Sequence, residues 1–463
     1  MLWTARDAAR ATGGTVASDW TAGPLSIDSR AIRPGETFVA LRAARDGHDF
    51  VADALAKGAG AALVSRVPDG VPPERLLVVD DVQRGIEALG AFARARTRAK
   101  VVAVTGSVGK TSTKEMLRHV LDDQAPTHAA IKSYNNHWGV PLTLANCPPD
   151  AAYAVIEVGM NHPGEIAPLA RQARPDVAMV TIVAPVHLEA FDDGLDGIAR
   201  EKAAIFEGLR GGTALWNADG ATAAILARAA ARHGSASFGT GEGADWRLLR
   251  TTPGPDSVTG LAATPVGEVA FRVGAPGAHF ALNALAVLAA VHHLGGDVAR
   301  AALALSDWSA PEGRGRRHAV RLGPDAPPVD LFDDAYNANP ASVGAALDLL
   351  AGTDVPKRAR RVAVLGDMRE LGPSGPDLHA ALARHPAVEG IDAVHTVGPL
   401  MRRLHDALPP DLRGIHAEDA EAMAARMRDL LRPGDAVTVK GSLSMRMARV
   451  VDAVRALGEE AGD

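Results

Sequence analysis

The chain has 463 residues, 47% of them hydrophobic and 22% charged, with a formal net charge of -6. That length exceeds what one hydrophobic core usually serves, so two to four domains are expected, and the acidic balance argues against a surface that coats nucleic acid. A single cysteine, Cys147, excludes an intramolecular disulfide and suits a reducing compartment.

The chain begins MLWTARDAARATGG, without the basic start and apolar centre of a signal peptide. No run approaches the length of apolar residues needed to span a bilayer, so no transmembrane segment and a cytoplasmic location are expected. Residues 1–98 precede a glycine loop and are expected to form a separate domain. Within it a polar turn at 28–30 is followed by a predicted strand at 37–41, a helix at 50–57 and a strand at 61–65. Arg30, Arg33 and Arg42 read either as binders of an anionic ligand or as scattered surface charge.

The stretch 100–113, KVVAVTGSVGKTST, is the most informative in the chain. Val101, Val102, Ala103 and Val104 form an apolar run, Thr105-Gly106-Ser107-Val108-Gly109-Lys110-Thr111 turns the chain, and a helical pattern follows from Ser112. Such a loop aims backbone N–H groups and a helix N-terminus at one spot, where a phosphate is favoured. Gly106 and Gly109 remove side chains that would hold phosphates off, Lys110 carries a full charge to the terminal phosphates, and the Thr111 hydroxyl suits the accompanying magnesium. Val104 stands where the strict P-loop spacing has glycine, so the pattern is the shorter Gly-x-x-Gly-Lys-Thr, and residues 105–112 read as an ATP site.

From 99 to 310 strands and helices alternate, as in a mostly parallel sheet. After a helix at 113–121 comes a polar loop at 133–137, and then a buried strand at 153–156 that ends in Glu157. A carboxylate at the C-terminal edge of a strand beside the P-loop strand reads as a magnesium ligand or as a solvated strand-end acid. A strand at 177–183 brings His187 and Glu189 to the same edge, and the next helix carries Arg200, Glu201 and Lys202. A lone histidine is commonly structural and a helix lysine commonly solvated, but these two follow a strand that ends beside the phosphates. Residues 214–216 read as a strand, and the stretch from there to about 273 as strands and turns. The apolar helix GAHFALNALAVLAAVHHLG is interrupted by Asn283, whose partner is a nucleotide base, a backbone cap or a buried water. Residues 307–318 read as a linker, and strand–helix alternation resumes with strands at 329–332, 362–365, 393–397 and 436–439.

TGSVGKTSTKEM, EVGMNHPGEI, APVHLEAF with EKAAIF, DDAYNANPAS, VLGDMRELG and KGSLSMRMARV, in this order, resemble the Mur ligases of peptidoglycan synthesis. Within that family the match is to the members that add D-alanyl-D-alanine to UDP-N-acetylmuramoyl-tripeptide. The Asp-Asn-Pro-Arg string of the diaminopimelate- or lysine-adding members is absent. The resemblance implies an α/β fold of three domains: 1–98 for the UDP-muramyl substrate, 99–310 for ATP around a central P-loop-type, mostly parallel sheet, and a Rossmann-like C-terminal domain at 311–463. It also implies ATP, two magnesium ions, an acyl-phosphate intermediate, small-molecule substrates and a monomeric enzyme.

Residue by residue, the resemblance assigns Thr111 and Glu157 to the first magnesium and His187 to the second, with Lys110 as a catalytic cation. Lys202 matches a lysine whose CO₂-derived carbamate binds metal. Asn283 matches the adenine contact, and Asp334 and Asn337 the contacts from the third domain to ribose and base. Arg314 or Arg316 corresponds to the linker arginine that approaches the γ-phosphate. Ser29 and Arg30 match contacts to the uridine diphosphate sugar, and Ser133, Asn135 and Asn136 the loop that faces the muramyl peptide. Two stretches depart from the family pattern: Thr-Asn-Ile-Gly is replaced by Thr181-Ile182-Val183-Ala184, so the turn that aims His187 lacks its Asn and Gly, and Ser112 replaces a Thr. The alternatives are a Mur-type ligase with a different amine and an ATP-binding regulator that performs no ligation.

Overall fold

Alternate residues of the strands Lys100–Thr105 and Tyr153–Glu157 pack on opposite faces of one sheet, as expected of parallel strands covered by helices on both sides. Val102, Val104 and Val155 enter one core, and Val101, Ala103, Ala154 and Ile156 the other. The computed structural model describes residues 1–459 and places this sheet at the centre of the molecule. Its nine strands run in the order Thr127–Ala129, Tyr153–Glu157, Lys100–Thr105, Val177–Val180, Thr213–Asn217, Gly234–Gly239, Trp246–Pro253, Val258–Thr264 and Gly267–Val273. The first seven are parallel, and each of the last two pairs antiparallel with the strand before it. Helices Lys110–Asp122 and Ala278–His293 cover one face, and Ile166–Ala173 and Gly194–Ala203 the other. Ala278–His293 is apolar nearly all round and correspondingly buried. Leu285, Val287, Leu288 and Val291 are fully enclosed, each contributing about 1.5–3 kcal/mol of burial.

The segment before this sheet forms a five-stranded sheet of its own, in the order Thr15–Val16, Leu76–Val78, Ala61–Val64, Thr37–Val39 and Leu25–Ser26. Its closing helix, Val82–Arg96, is capped by Asp81, whose carboxylate accepts from Arg84 N. Trp3, Leu63, Ile86 and Leu89 share a core with Leu142 and Ala145 of the central segment. Trp3 Nε1 donates to Ala145 O at 3.1 Å, and the Asn146 side chain accepts from Leu25 N at 2.6 Å and donates to Leu25 O at 2.9 Å. The first two segments are therefore joined by packing as well as by the chain.

The last segment carries six strands in the order Arg316–Val320, Val329–Asp334, Ala436–Lys440, Arg361–Gly366, Ala393–Val397 and Arg413–Ala417, parallel except for the first pair. Hydrophobic cores lie on both of its faces. No helix among the described residues is long and apolar enough to cross a membrane.

Several expected elements are corrected. The helix after the glycine loop starts at Lys110 rather than 113, because Gly109 takes a left-handed φ of 84° and turns the chain directly into it. The strand expected over 177–183 stops at Val180, beyond which Ile182 makes an isolated bridge to Val108 and draws the chain toward the loop. The stretch read as strands and turns also contains the helix Ala223–Ala230, whose run of alanines gives little periodic signal. Strand Arg316–Val320 begins inside the expected linker, and Arg413–Ala417 was not anticipated. Both are edge strands, which do not need the continuous apolar run of a buried strand.

Candidate active site

The glycine loop is shaped by what a side chain would strike. A Cβ on Gly106 would lie 1.9 Å from Thr181 Oγ1, and one on Gly109 would lie 3.0 Å from Asn283 Oδ1. Lys110 Nζ donates back to Gly106 O at 2.6 Å, and burial holds its amine below the usual lysine range. Thr111 Oγ1 lies 3.2 and 3.0 Å from the two Glu157 oxygens and 3.0 Å from Ser133 Oγ. Asn135 Nδ2 donates to Glu157 Oε1 at 2.8 Å. Glu157 is only 1% exposed, so the reading of it as a solvated strand-end acid is excluded. A hydroxyl and a carboxylate side by side form a hard-oxygen donor set that fits magnesium.

This point opens into a cavity of about 730 Å³ between the central and last sheets. Residues 107–112, Asn135, Asn136, Glu157, His187 and Asn283 line it from one side, and Arg314, Asp334, Asn337 and Lys440 from the other. The Asn283 side chain has no hydrogen-bond partner among the described residues, so a backbone cap does not account for it, and it faces the cavity. Asn136 Oδ1 accepts from Gly139 N at 3.0 Å, just ahead of the helix Gly139–Ala145. Asp334 Oδ2 is 2.6 Å from Lys440 Nζ, which also donates to Asn337 O at 2.8 Å. Lys440 went unrecognised in the sequence, although a lysine closing the buried run Ala436–Lys440 was a usable signal.

The two linker arginines separate cleanly. The Arg314 guanidinium lies 4.0 Å from the centroid of the Tyr336 ring and donates to Ser133 Oγ at 3.1 Å, inside the cavity. Arg316 lies outside it, 44% exposed and paired with Glu312 at 3.1 Å. Arg314→Ala is expected to lower turnover by roughly 10²-fold or more, in the direction of other lost transition-state cations, and Arg316→Ala to stay near wild type. Equal losses in steady-state rate would contradict this separation.

Lys202 is 1% exposed, so the common case of a solvated helix lysine does not apply to it. It has no hydrogen-bond acceptor among the described residues, and burial, then the neighbouring Lys110 charge, push its amine well below the lysine range. The adjacent Glu201 instead accepts from Gly164 N and Ile166 N, at 2.8 Å each, pinning the Asn161–Ile166 motif to this helix. Lys202 does not itself line the cavity, and neither do Thr105 and Gly106. Thr105 is fully buried beneath it, its carbonyl accepting from Thr181 N at 2.9 Å.

The altered turn before His187 is fixed by the glycine loop. Thr181 Oγ1 donates to Val108 O at 2.7 Å, Ser107 N to Ile182 O at 2.6 Å, and Ser107 Oγ to Ala184 O at 2.9 Å. His187 then takes a left-handed φ of 54°, and its Nδ1 lies 2.7 Å from Glu370 Oε2 of the last segment.

A second cavity, of about 990 Å³, lies between the first and central segments. Ser29, Arg30, Arg42 and Arg45 line it with Tyr134, His137 and Trp138, whereas Arg33 does not. Arg30 is not a free cation: its guanidinium makes two 2.8 Å bonds to Asp28, and that pairing draws the Asp28 carboxyl down to about 2. Ser29 is buried, and its carbonyl accepts from Lys57 Nζ. The loop 133–138 reaches both cavities, through Ser133 and Asn135 on one side and Tyr134 and Trp138 on the other.

The Mur ligase middle domain matches residues 104–291, and the Mur ligase glutamate ligase domain matches residues 316–443. The chain is 35% identical over 449 residues to the UDP-N-acetylmuramoyl-tripeptide–D-alanyl-D-alanine ligase of Escherichia coli, covering 95% of each chain. It superposes on a MurF crystal structure from Acinetobacter baumannii with a TM-score of 0.84 and 30% identity, covering 98% of this chain and 99% of that one. A MurF ligase from Thermotoga maritima in complex with ADP superposes with a TM-score of 0.78 at 26% identity, covering 95% and 98%. With both domain matches and a relative of this identity along almost its whole length, the chain belongs to the Mur ligase family.

Proposed function

We propose that this chain is the ATP-dependent ligase that joins D-alanyl-D-alanine to UDP-N-acetylmuramoyl-tripeptide in peptidoglycan precursor synthesis, releasing ADP and phosphate. The observation that carries the reading is the meeting of Lys110, Thr111 and Glu157 at the wall of one cleft, with the buried, acceptorless Lys202 behind it near enough to feel the Lys110 charge. The glycine-loop N–H groups and Lys110 hold the phosphates, and Asn283, Asp334 and Asn337 hold the adenosine. Thr111 and Glu157 would hold one magnesium, and His187 with a carbamate on Lys202 a second. When bound, the ions offset the charge between the γ-phosphate and the incoming carboxylate. A depressed lysine pKa favours this modification, because the neutral amine is the form that adds CO₂.

The tripeptide carboxylate displaces ADP from the γ-phosphorus to give an acyl phosphate, and the dipeptide amine then attacks the acyl carbon and expels phosphate. Lys110 and Arg314 stabilise the negative charge that develops in both steps. The cavity between the first two segments takes the uridine diphosphate sugar, with Ser29 and Arg30 at its rim and Ser133, Asn135 and Asn136 toward the peptide. In this reading 1–98, 99–310 and 311–463 act as three domains of a monomeric cytoplasmic enzyme, since one chain supplies both cavities. The regulator alternative drew on the altered turn before His187, and the clamp on that turn removes its motive.

Phosphate release from ATP and magnesium with UDP-muramoyl-tripeptide tests the reading. Release is expected with D-alanyl-D-alanine and not with single D-alanine or no amine, giving a product heavier by one dipeptide less water. Turnover with another amine alone would reassign the acceptor.

A further inference from the structure

Two loops from different sheets meet at His187. One follows strand Val177–Val180 of the central sheet, and the other follows strand Arg361–Gly366 of the last sheet, so each leaves the C-terminal end of a parallel strand. Glu370 Oε2 lies 2.7 Å from His187 Nδ1. Both residues have left-handed backbones, with φ of 54° and 64°, which non-glycine residues adopt at a cost unless the surroundings impose it. Two residues further on, the loops touch again: a Cβ on Gly372 would lie 3.1 Å from Glu189 Cβ.

The loop that presents Glu370 is firmly held from behind. Asp367, fully buried, accepts from Met401 N at 2.8 Å, Met368 N donates to His379 Nε2 at 2.9 Å, and Arg369 N donates to Ser442 Oγ at 2.9 Å. Glu370 itself remains half exposed at the edge of the cleft, so it does little for the core beneath it. A carboxylate at Nδ1 fixes the imidazole tautomer and ring angle and leaves Nε2 as the nitrogen free to take a ligand.

We propose that Glu370 is a positioning residue for the ligation reaction: it orients His187 from the last segment, so that the second metal position is complete only when that segment is docked on the central sheet. The inference rests on the proposed role of His187. It makes docking of the last segment a condition for holding the second ion, and it places that condition in one side chain.

The test counts metal directly. Wild type, Glu370→Ala, Glu370→Gln and His187→Ala are each equilibrated with Mn²⁺ and a non-hydrolysable ATP analogue, and bound Mn²⁺ is measured by electron paramagnetic resonance. Wild type is expected to hold two ions and His187→Ala one. Glu370→Ala should bind the second ion about 10- to 100-fold more weakly, and Glu370→Gln, which keeps an oxygen acceptor for Nδ1–H, should lose less. The magnesium needed for half-maximal turnover should rise in parallel, with the KM for the nucleotide sugar and the thermal midpoint unchanged. Two ions held equally well by wild type and Glu370→Ala would overturn the inference while leaving the role of His187 intact. Two ions held by His187→Ala, or only one by wild type, would overturn that role and the inference with it.

Discussion

Lys202→Ala is expected to abolish ligation, by at least roughly 10²-fold in kcat, while leaving the protein folded. An ammonium enclosed at 1% exposure, without an acceptor and beside the charge of Lys110, is in an environment that disfavours its charged form. Such surroundings favour the neutral amine, the form that adds CO₂, and the resulting carbamate reverses the sign of the charge. Because the missing piece is then a carboxylate, formate or acetate should restore part of the activity in Lys202→Ala and none in Lys110→Ala. A thermal midpoint near that of wild type would show that the variant is folded. Full activity without additives, or no difference between the two variants in response to formate, would sink the carbamate.

Lys110→Ala should be nearly as damaging for a different reason. At an effective dielectric of about 20, a unit charge about 4 Å from another contributes about 4 kcal/mol. Lost selectively from a transition state, that corresponds to roughly 10³-fold in rate. Lys110 is positioned for this by its bond to Gly106 O, which holds the ammonium over the loop before any phosphate arrives. Single-turnover measurements should show the loss in the chemical step, with a smaller effect on binding of ADP, which lacks the γ-phosphate. Near-normal turnover would contradict the assignment of the glycine loop to ATP.

What was legible in the sequence is what is local. Strand, loop and helix around Lys110 are consecutive, so the chemistry of residues 105–112 could be read from their order alone. Glu157 and His187 were legible because parallel strands put their C-terminal ends on one edge. The choice between Arg314 and Arg316 was not, because it depends on where an edge strand begins and which side chains turn inward there. The Lys440–Asp334 pair was hidden for a related reason: the two residues are register partners on neighbouring parallel strands, 106 positions apart in sequence. Glu370 was hidden because its contact crosses from one sheet to another. The Thr181–Ala184 departure looked damaging only while the glycine loop that braces it was out of view.

The two cavities draw their walls from different parts of the chain. The larger is built only from the first and central segments, which share a core, and the smaller takes one whole side from the last segment. Swinging the last segment away would therefore strip the nucleotide of its cover while the neighbouring cavity kept its shape. On the proposed assignment, spent ADP would leave by a door that the nucleotide sugar does not use, and a compound lodged in the larger cavity would stay seated through every turn of that door.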